Sequence, residues 1–214
     1  MITSLLILLS VAFSLYSWFT QNNLAFSGYA LMHGNYYTLL TGLFVHANPV
    51  HLVGNMLFLY IFGNGLEDEV GDGRTGYVFF AGGILAFILS IPIYPGAQMV
   101  GASAAIFSVM AALLLSRRPE LSTSFLSPTG PLIIVFFIFN IVAIQTGETG
   151  NVAYVSHVLG FIIGVFFGAS WNKKWKESLI FTLLLLAIYI VLYNYLRTQL
   201  GTPLVLNFSA RIWV

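Results

Sequence analysis

The chain has 214 residues, of which 58% are hydrophobic and only 7% charged, and its net charge is +1. Soluble domains carry about 25% charged residues, so this composition excludes a water-facing globular surface, and the near-neutral balance offers nothing to a nucleic acid. The absence of cysteine excludes disulfides and thiolate metal sites.

A helix needs roughly 20 mainly apolar residues to cross ~30 Å of hydrocarbon. Seven apolar runs, at 3–19, 50–66, 75–93, 101–116, 131–146, 153–171 and 178–197, are separated by polar turns. They are continuous rather than alternating, which predicts helices and not a barrel. The fold expected is therefore all-α, a polytopic membrane helical bundle.

The first run has no basic segment ahead of it and no clear small-residue cleavage site before Gln21, so it is read as helix one rather than a signal peptide. A loop over 20–48 follows. Its aromatics Phe26, Tyr29, Tyr36 and Tyr37 suit a segment lying at headgroup level, whether as a simple anchor or with a further role.

The second run opens on Asn48-Pro49, an N-cap followed by proline at the first helical position. It carries His51 and Asn55, four apart and so on one face. The fourth run opens on Gly101-Ala102-Ser103-Ala104-Ala105, where small side chains allow close backbone approach and a helix start leaves N–H groups free. From Ser103 to Ser116 is about 21 Å at 1.5 Å per residue, too short to span the bilayer. Ser103 is thus expected below the surface, in a cavity that water must reach. The sixth run carries His157, then Gly160 and Gly164, a spacing of small residues that lets two membrane helices press together.

Basic residues favour the cytoplasmic ends of helices. Arg74, Arg117, Arg118, Lys173, Lys174 and Lys176 fall on one side of a seven-helix path, and Arg197 and Arg211 on the other. The N-terminus is therefore expected inside, and His51, Asn55, Ser103 and His157 all fall at similar depth below the outer face. Polar side chains within a span are costly unless satisfied, and each is a candidate for function.

A serine hydroxyl becomes a useful nucleophile when an imidazole takes its proton, and the resulting oxyanion needs fixed donors. Ser103, His157, the Asn55 amide and His51 supply those roles. The acids Glu67, Asp68, Glu69, Asp72, Glu120 and Glu177 fall on the inner side and Glu148 on the outer rim, so the reading is a Ser-His dyad with its ring held by packing. Phe107, one turn after Ser103, is placed either to stack on that ring or to act as a core aromatic.

Five motifs in order, His46-Ala-Asn-Pro-Val-His51-Leu-Val-Gly-Asn55, Gly63-x-x-x-Glu67-x-x-x-Gly71, Gly101-Ala-Ser103, His157 and Gly160-x-x-x-Gly164, resemble those of the rhomboid proteases over roughly residues 36–171. The resemblance implies a six-helix core over 1–171, including the outer loop, with an additional transmembrane helix at 172–197 and a short tail at 198–214. It implies Ser103 as nucleophile, His157 as general base and acid, and an oxyanion site from His51, Asn55 and the Ser103 backbone N–H. Gly101, Phe107 and His46 are expected as pocket or supporting residues, and Gly63, Glu67, Gly71, Gly160 and Gly164 as structural ones. No cofactor or metal is expected.

By the same resemblance the substrates are membrane proteins cut near the outer face of the bilayer, and the segment from about Phe136 to Asn151 is a gate. The chain departs from the family pattern at Tyr37-Thr38, where Trp-Arg is usual, and at Ala104, where glycine is usual; the first bears on how the outer loop is fixed, the second on crowding at Ser103. Two other classes fit less well. A client-binding relative without activity would not need Ser103, His157 and Asn55 together. A transporter with a histidine relay would show broken helices or intramembrane carboxylates. A metal shared by His46, His51 and His157 would lack an acidic or thiol ligand.

Overall fold

The computed structural model describes residues 1–116, 129–144, 150–172 and 175–199. Among them it is all-helical, with α1 (Ile2–Thr20), α2 (Gly28–Met32), α3 (Thr38–Phe44), α4 (Pro49–Val70), α5 (Asp72–Ser90), α6 (Ser103–Ser116), α7 (Thr129–Ile144), α8 (Gly150–Trp171) and α9 (Trp175–Gln199). Each predicted span holds one helix. By length and composition, α1, α5 and the Ala153–Trp171 part of α8 are sufficient to cross a membrane. Arg117, Arg118, Lys173, Lys174 and Arg211 of the charge count, and Glu120 and Glu148, lie outside the described residues, as does the 145–149 part of the expected gate.

The α4 helix runs to Val70 instead of stopping near 66, and α5 occupies 72–90 instead of 75–93. Hydropathy marks where a chain prefers hydrocarbon, whereas backbone hydrogen bonding continues a helix until a residue can leave it. Gly71, at φ 86°, is that residue. Its N–H donates to the Glu67 carbonyl, and its own carbonyl accepts from Thr75 N–H. At the other end of α4, the Asn48 side chain accepts from His51 N–H at 2.8 Å with Pro49 next in line, the cap that the Asn-Pro pair predicts.

The outer loop is docked on the bundle. Phe26 and Met99 exchange two backbone hydrogen bonds as an isolated antiparallel bridge, and the Thr41 hydroxyl donates to the Leu24 carbonyl at 2.9 Å. Phe26 is fully buried and stacks on Phe87 of α5, so it does not share the headgroup-level position expected of the loop aromatics; Tyr29, Tyr36 and Tyr37 are exposed. At the Tyr37-Thr38 departure, the Thr38 hydroxyl donates to the Asn35 carbonyl at 2.7 Å, a local turn bond.

The core is α6. Twelve of its fourteen residues are buried, enclosed by α4, α5, α8 and α9. The outside shows the reverse of a soluble protein: Leu8 and Phe19 on α1, Val53 and Leu57 on α4, Phe166 on α8 and Val191 on α9 are all exposed. Apolar surface on this scale needs hydrocarbon around it. The chain is an integral membrane protein.

The α8–α6 contact brings backbone against backbone. A Cβ at Gly160, Gly164 or Gly168 would run into the backbone of Ala104, Ser108 or Ala112 respectively. Successive glycines four apart on α8 thus lie over successive carbonyls four apart on α6, which locks the register of the two helices. The Ala104 methyl packs with Ala86 and Ile163, so the extra carbon relative to glycine is taken up between α5 and α8.

Gly164→Val is expected to destabilise the protein by about 1–3 kcal/mol or more, as overpacking does, and to lower the thermal midpoint in detergent. Gly73→Ala, in helix with open space where its Cβ would lie, is expected to leave that midpoint unchanged or slightly raised.

Candidate active site

The turn before α6 sets up Ser103. Gly101 has φ 108°, and a Cβ there would strike the His51 ring, so both backbone conformation and space call for glycine. Gly101 N–H donates to the Gly42 carbonyl of α3 at 2.9 Å. Ser103 is the first residue of α6, where N–H groups have no carbonyl a turn earlier to bond. Its backbone N–H is therefore free to serve an incoming oxygen.

His46, in the link between α3 and α4, supports that turn. It is buried, with Nδ1 3.1 Å from both the Phe44 carbonyl and the Ser14 hydroxyl. Burial, with the His51 ring as neighbour, pushes its pKa down to about 3, so it stays neutral. An Nδ1–H donating to Phe44 leaves Nε2 to accept the Ala102 N–H at 3.4 Å. From α1, the Trp18 indole donates to the His46 carbonyl at 2.8 Å. Trp18 and Ser14 are supports that sequence reasoning missed, because nothing in their spacing relates α1 to residue 46.

His157, on α8 just before the glycine seam, is buried with Nε2 2.7 Å from Ser103 Oγ. Since Gly160 lies on Ala104, the register of the seam carries His157 to Ser103. Phe107 stacks on the imidazole at 4.5 Å between centroids and 17° between planes. The ring is not held by packing alone: the Tyr189 hydroxyl of α9 is 3.1 Å from His157 Nδ1. Tyr189 was not singled out in the sequence; the only trace is a tyrosine in mid-run, whose hydroxyl needs a partner when buried.

Asn55 is fully buried one turn below His51, and both its amide nitrogen and its oxygen lack a hydrogen-bond partner. Such orphaned groups are uncommon in native interiors and call for an explanation. A Cβ on Gly101 would lie close to the His51 ring and the Asn55 nitrogen, so both side chains converge on the turn that precedes Ser103. His46 and His51 meet edge to face at 5.1 Å. Together these residues offer a hydroxyl, a base in contact with it and a cluster of uncommitted donors, the parts needed for acyl transfer.

Gly63, Glu67 and Gly71 are not part of this group. A Cβ at Gly63 would meet the Thr3 side chain, and the Glu67 carboxylate accepts Thr3 N–H at 2.9 Å, which satisfies a free donor at the start of α1. Gly63 and Glu67 join α1 to the far end of α4, and Gly71 makes the turn from α4 into α5. Among the described residues, no cluster of three histidine or acidic side chains could hold a metal ion.

An all-helical membrane bundle with a Ser-His pair buried against orphaned amide donors defines a narrow class of protein. The chain belongs to the rhomboid family, whose Rhomboid domain model matches residues 33–174. It is 30% identical over 126 residues to RHOMBOID-like protein 7 of Arabidopsis thaliana, covering 59% of this chain and 40% of that one. It is 37% identical over 116 residues to Rhomboid protease GluP of Bacillus subtilis (strain 168), covering 52% of this chain and 22% of that one. It is also 30% identical over 129 residues to Inactive rhomboid protein 1 of Drosophila melanogaster, covering 60% and 9%. The chain thus matches less than half the length of these curated relatives, and by name they include a protease and an inactive protein.

Gly101→Ala combines a strained φ with a collision at His51, each costing on the order of 1–3 kcal/mol. It is expected to lower the thermal midpoint more than Gly34→Ala, where φ is 81° but the space is open; differential scanning fluorimetry in detergent compares them.

Proposed function

We propose that this chain is an intramembrane serine endopeptidase that hydrolyses peptide bonds in or near the transmembrane segments of other membrane proteins. The observation that carries the reading is the 2.7 Å contact of Ser103 Oγ with His157 Nε2, beside an Asn55 amide that is buried and uncommitted. A packing role explains a histidine near a serine. It does not explain a neighbouring amide left without partners at the desolvation cost this entails.

In this mechanism His157 Nε2 takes the proton as Ser103 Oγ attacks the carbonyl carbon of the scissile bond. The oxyanion is received by the Asn55 amide, His51 and the Ser103 backbone N–H. His157 then passes the proton to the leaving amine and the peptide C–N bond breaks. Water, deprotonated by the same ring, hydrolyses the acyl-enzyme and restores Ser103. A helical peptide bond is shielded from such attack, so a substrate segment must unwind to reach the alignment the reaction needs.

The excess of basic residues on one side of the chain supports a cytoplasmic N-terminus and a site opening toward the extracytoplasmic side. The partners of this reading are transmembrane protein substrates and the lipid around them, with the 136–151 segment as the gate. The match to an inactive relative makes client binding without cleavage the second reading.

Purified protein in lipid, incubated with a labelled single-spanning substrate, is expected to release a cleaved fragment, and Ser103 is expected to react with a fluorophosphonate. Ser103→Ala and His157→Ala should each cost several orders of magnitude in rate, since the two act as a unit. Asn55→Ala, which removes one oxyanion donor, should cost about 10²–10³ in kcat. Cleavage that persists in Ser103→Ala would sink the nucleophile. A parent that neither cleaves nor labels leaves client binding as the surviving reading.

A further inference from the structure

The Rhomboid domain match ends at residue 174, immediately before α9 begins. Yet α9 supplies Tyr189, a fully buried side chain whose hydroxyl is 3.1 Å from His157 Nδ1. Serine and tyrosine therefore occupy the two nitrogens of one ring. Tyr189 is packed among Phe107, Phe137 and Tyr154, so its hydroxyl is held at that position. Among the described residues the ion pairs involve Met1 alone, and no carboxylate orients His157.

A neutral imidazole has one N–H and one bare nitrogen. It can accept the Ser103 proton only when Nε2 is bare and the hydrogen resides on Nδ1. In that tautomer Nδ1–H donates to the Tyr189 oxygen. In the other, Tyr189 O–H donates to Nδ1 and Nε2–H points at Ser103, which leaves the serine without a base. Once the proton has moved, both nitrogens carry hydrogen, and a buried Nδ1–H without an acceptor is costly. The phenol oxygen is the acceptor in place, and it favours the productive ring state.

We propose that Tyr189 is a positioning residue for His157, holding hydrogen on Nδ1, so that α9 completes the machinery of this chain rather than flanking it. This rests on the serine protease reading for its consequence in catalysis, but its geometry can be tested without substrate.

Tyr189→Phe keeps the ring and removes the hydroxyl. Full-length protein in lipid is expected to lose about tenfold in kcat, the worth of one neutral hydrogen bond, with KM within about twofold and fluorophosphonate labelling of Ser103 slowed by a similar factor. Tyr154→Phe, which removes a hydroxyl from the same aromatic cluster, should retain parent rates. In ¹⁵N-histidine NMR, the parent His157 signal, assigned by its loss in His157→Ala, should show hydrogen on Nδ1, and Tyr189→Phe should show averaging over both nitrogens. Parent-like kcat in Tyr189→Phe, or a parent His157 protonated on Nε2, overturns the proposal. The NMR arm needs no activity, so a parent that fails to cleave speaks against the protease reading alone.

Discussion

The contact on which this structure depends is the glycine seam between α8 and α6. Three glycines at four-residue intervals lie on three α6 carbonyl turns, close enough that no side chain could intervene. In a bilayer, where lipid is as apolar as leucine, such close van der Waals approach substitutes for a hydrophobic drive between helices. The seam also sets a register: with Gly160 on Ala104, His157 and Ser103 are brought to one level and their polar atoms to 2.7 Å. Packing and chemistry are here one constraint.

A second requirement is that the polar groups gathered around Ser103 be held without being used up. The turn at Gly101 is fixed from outside, by the Gly42 carbonyl and the His46 ring, while His46 is itself fixed by Ser14 and Trp18 of α1. These ties spend backbone and support groups and leave the Ser103 N–H and the Asn55 amide uncommitted. The cost of burying Asn55 unsatisfied is sustained by the tightly packed bundle around it, an arrangement typical of sites that keep donors ready for charge that develops later.

The outer loop and α1 thus reach the site indirectly. The bridge of Phe26 with Met99 joins the loop to the segment that leads into Gly101, and the Phe26–Phe87 stack anchors it on α5. On the opposite side, α9 reaches the site through one hydroxyl on His157. Elements far apart in the chain therefore converge on the two ends of the Ser103–His157 contact.

The helical class, seven apolar runs that each hold a helix, the Asn48-Pro49 start of α4 and the candidates His51, Asn55, Ser103 and His157 were legible in the amino-acid order alone. Hydropathy, caps and 1.5 Å per residue are local properties, and each span could be read alone. Local patterns do not carry helix ends set by backbone bonds, as at Gly71, nor the burial of Phe26 within a loop of interfacial aromatics. That Trp18 and Ser14 hold His46, that the Ala104 methyl packs with Ala86 and Ile163, and that Tyr189 meets His157 emerge from helix packing. Those contacts depend on how helices rotate and slide against one another, and that is fixed by close packing across the bundle, where residues distant in sequence share one small volume.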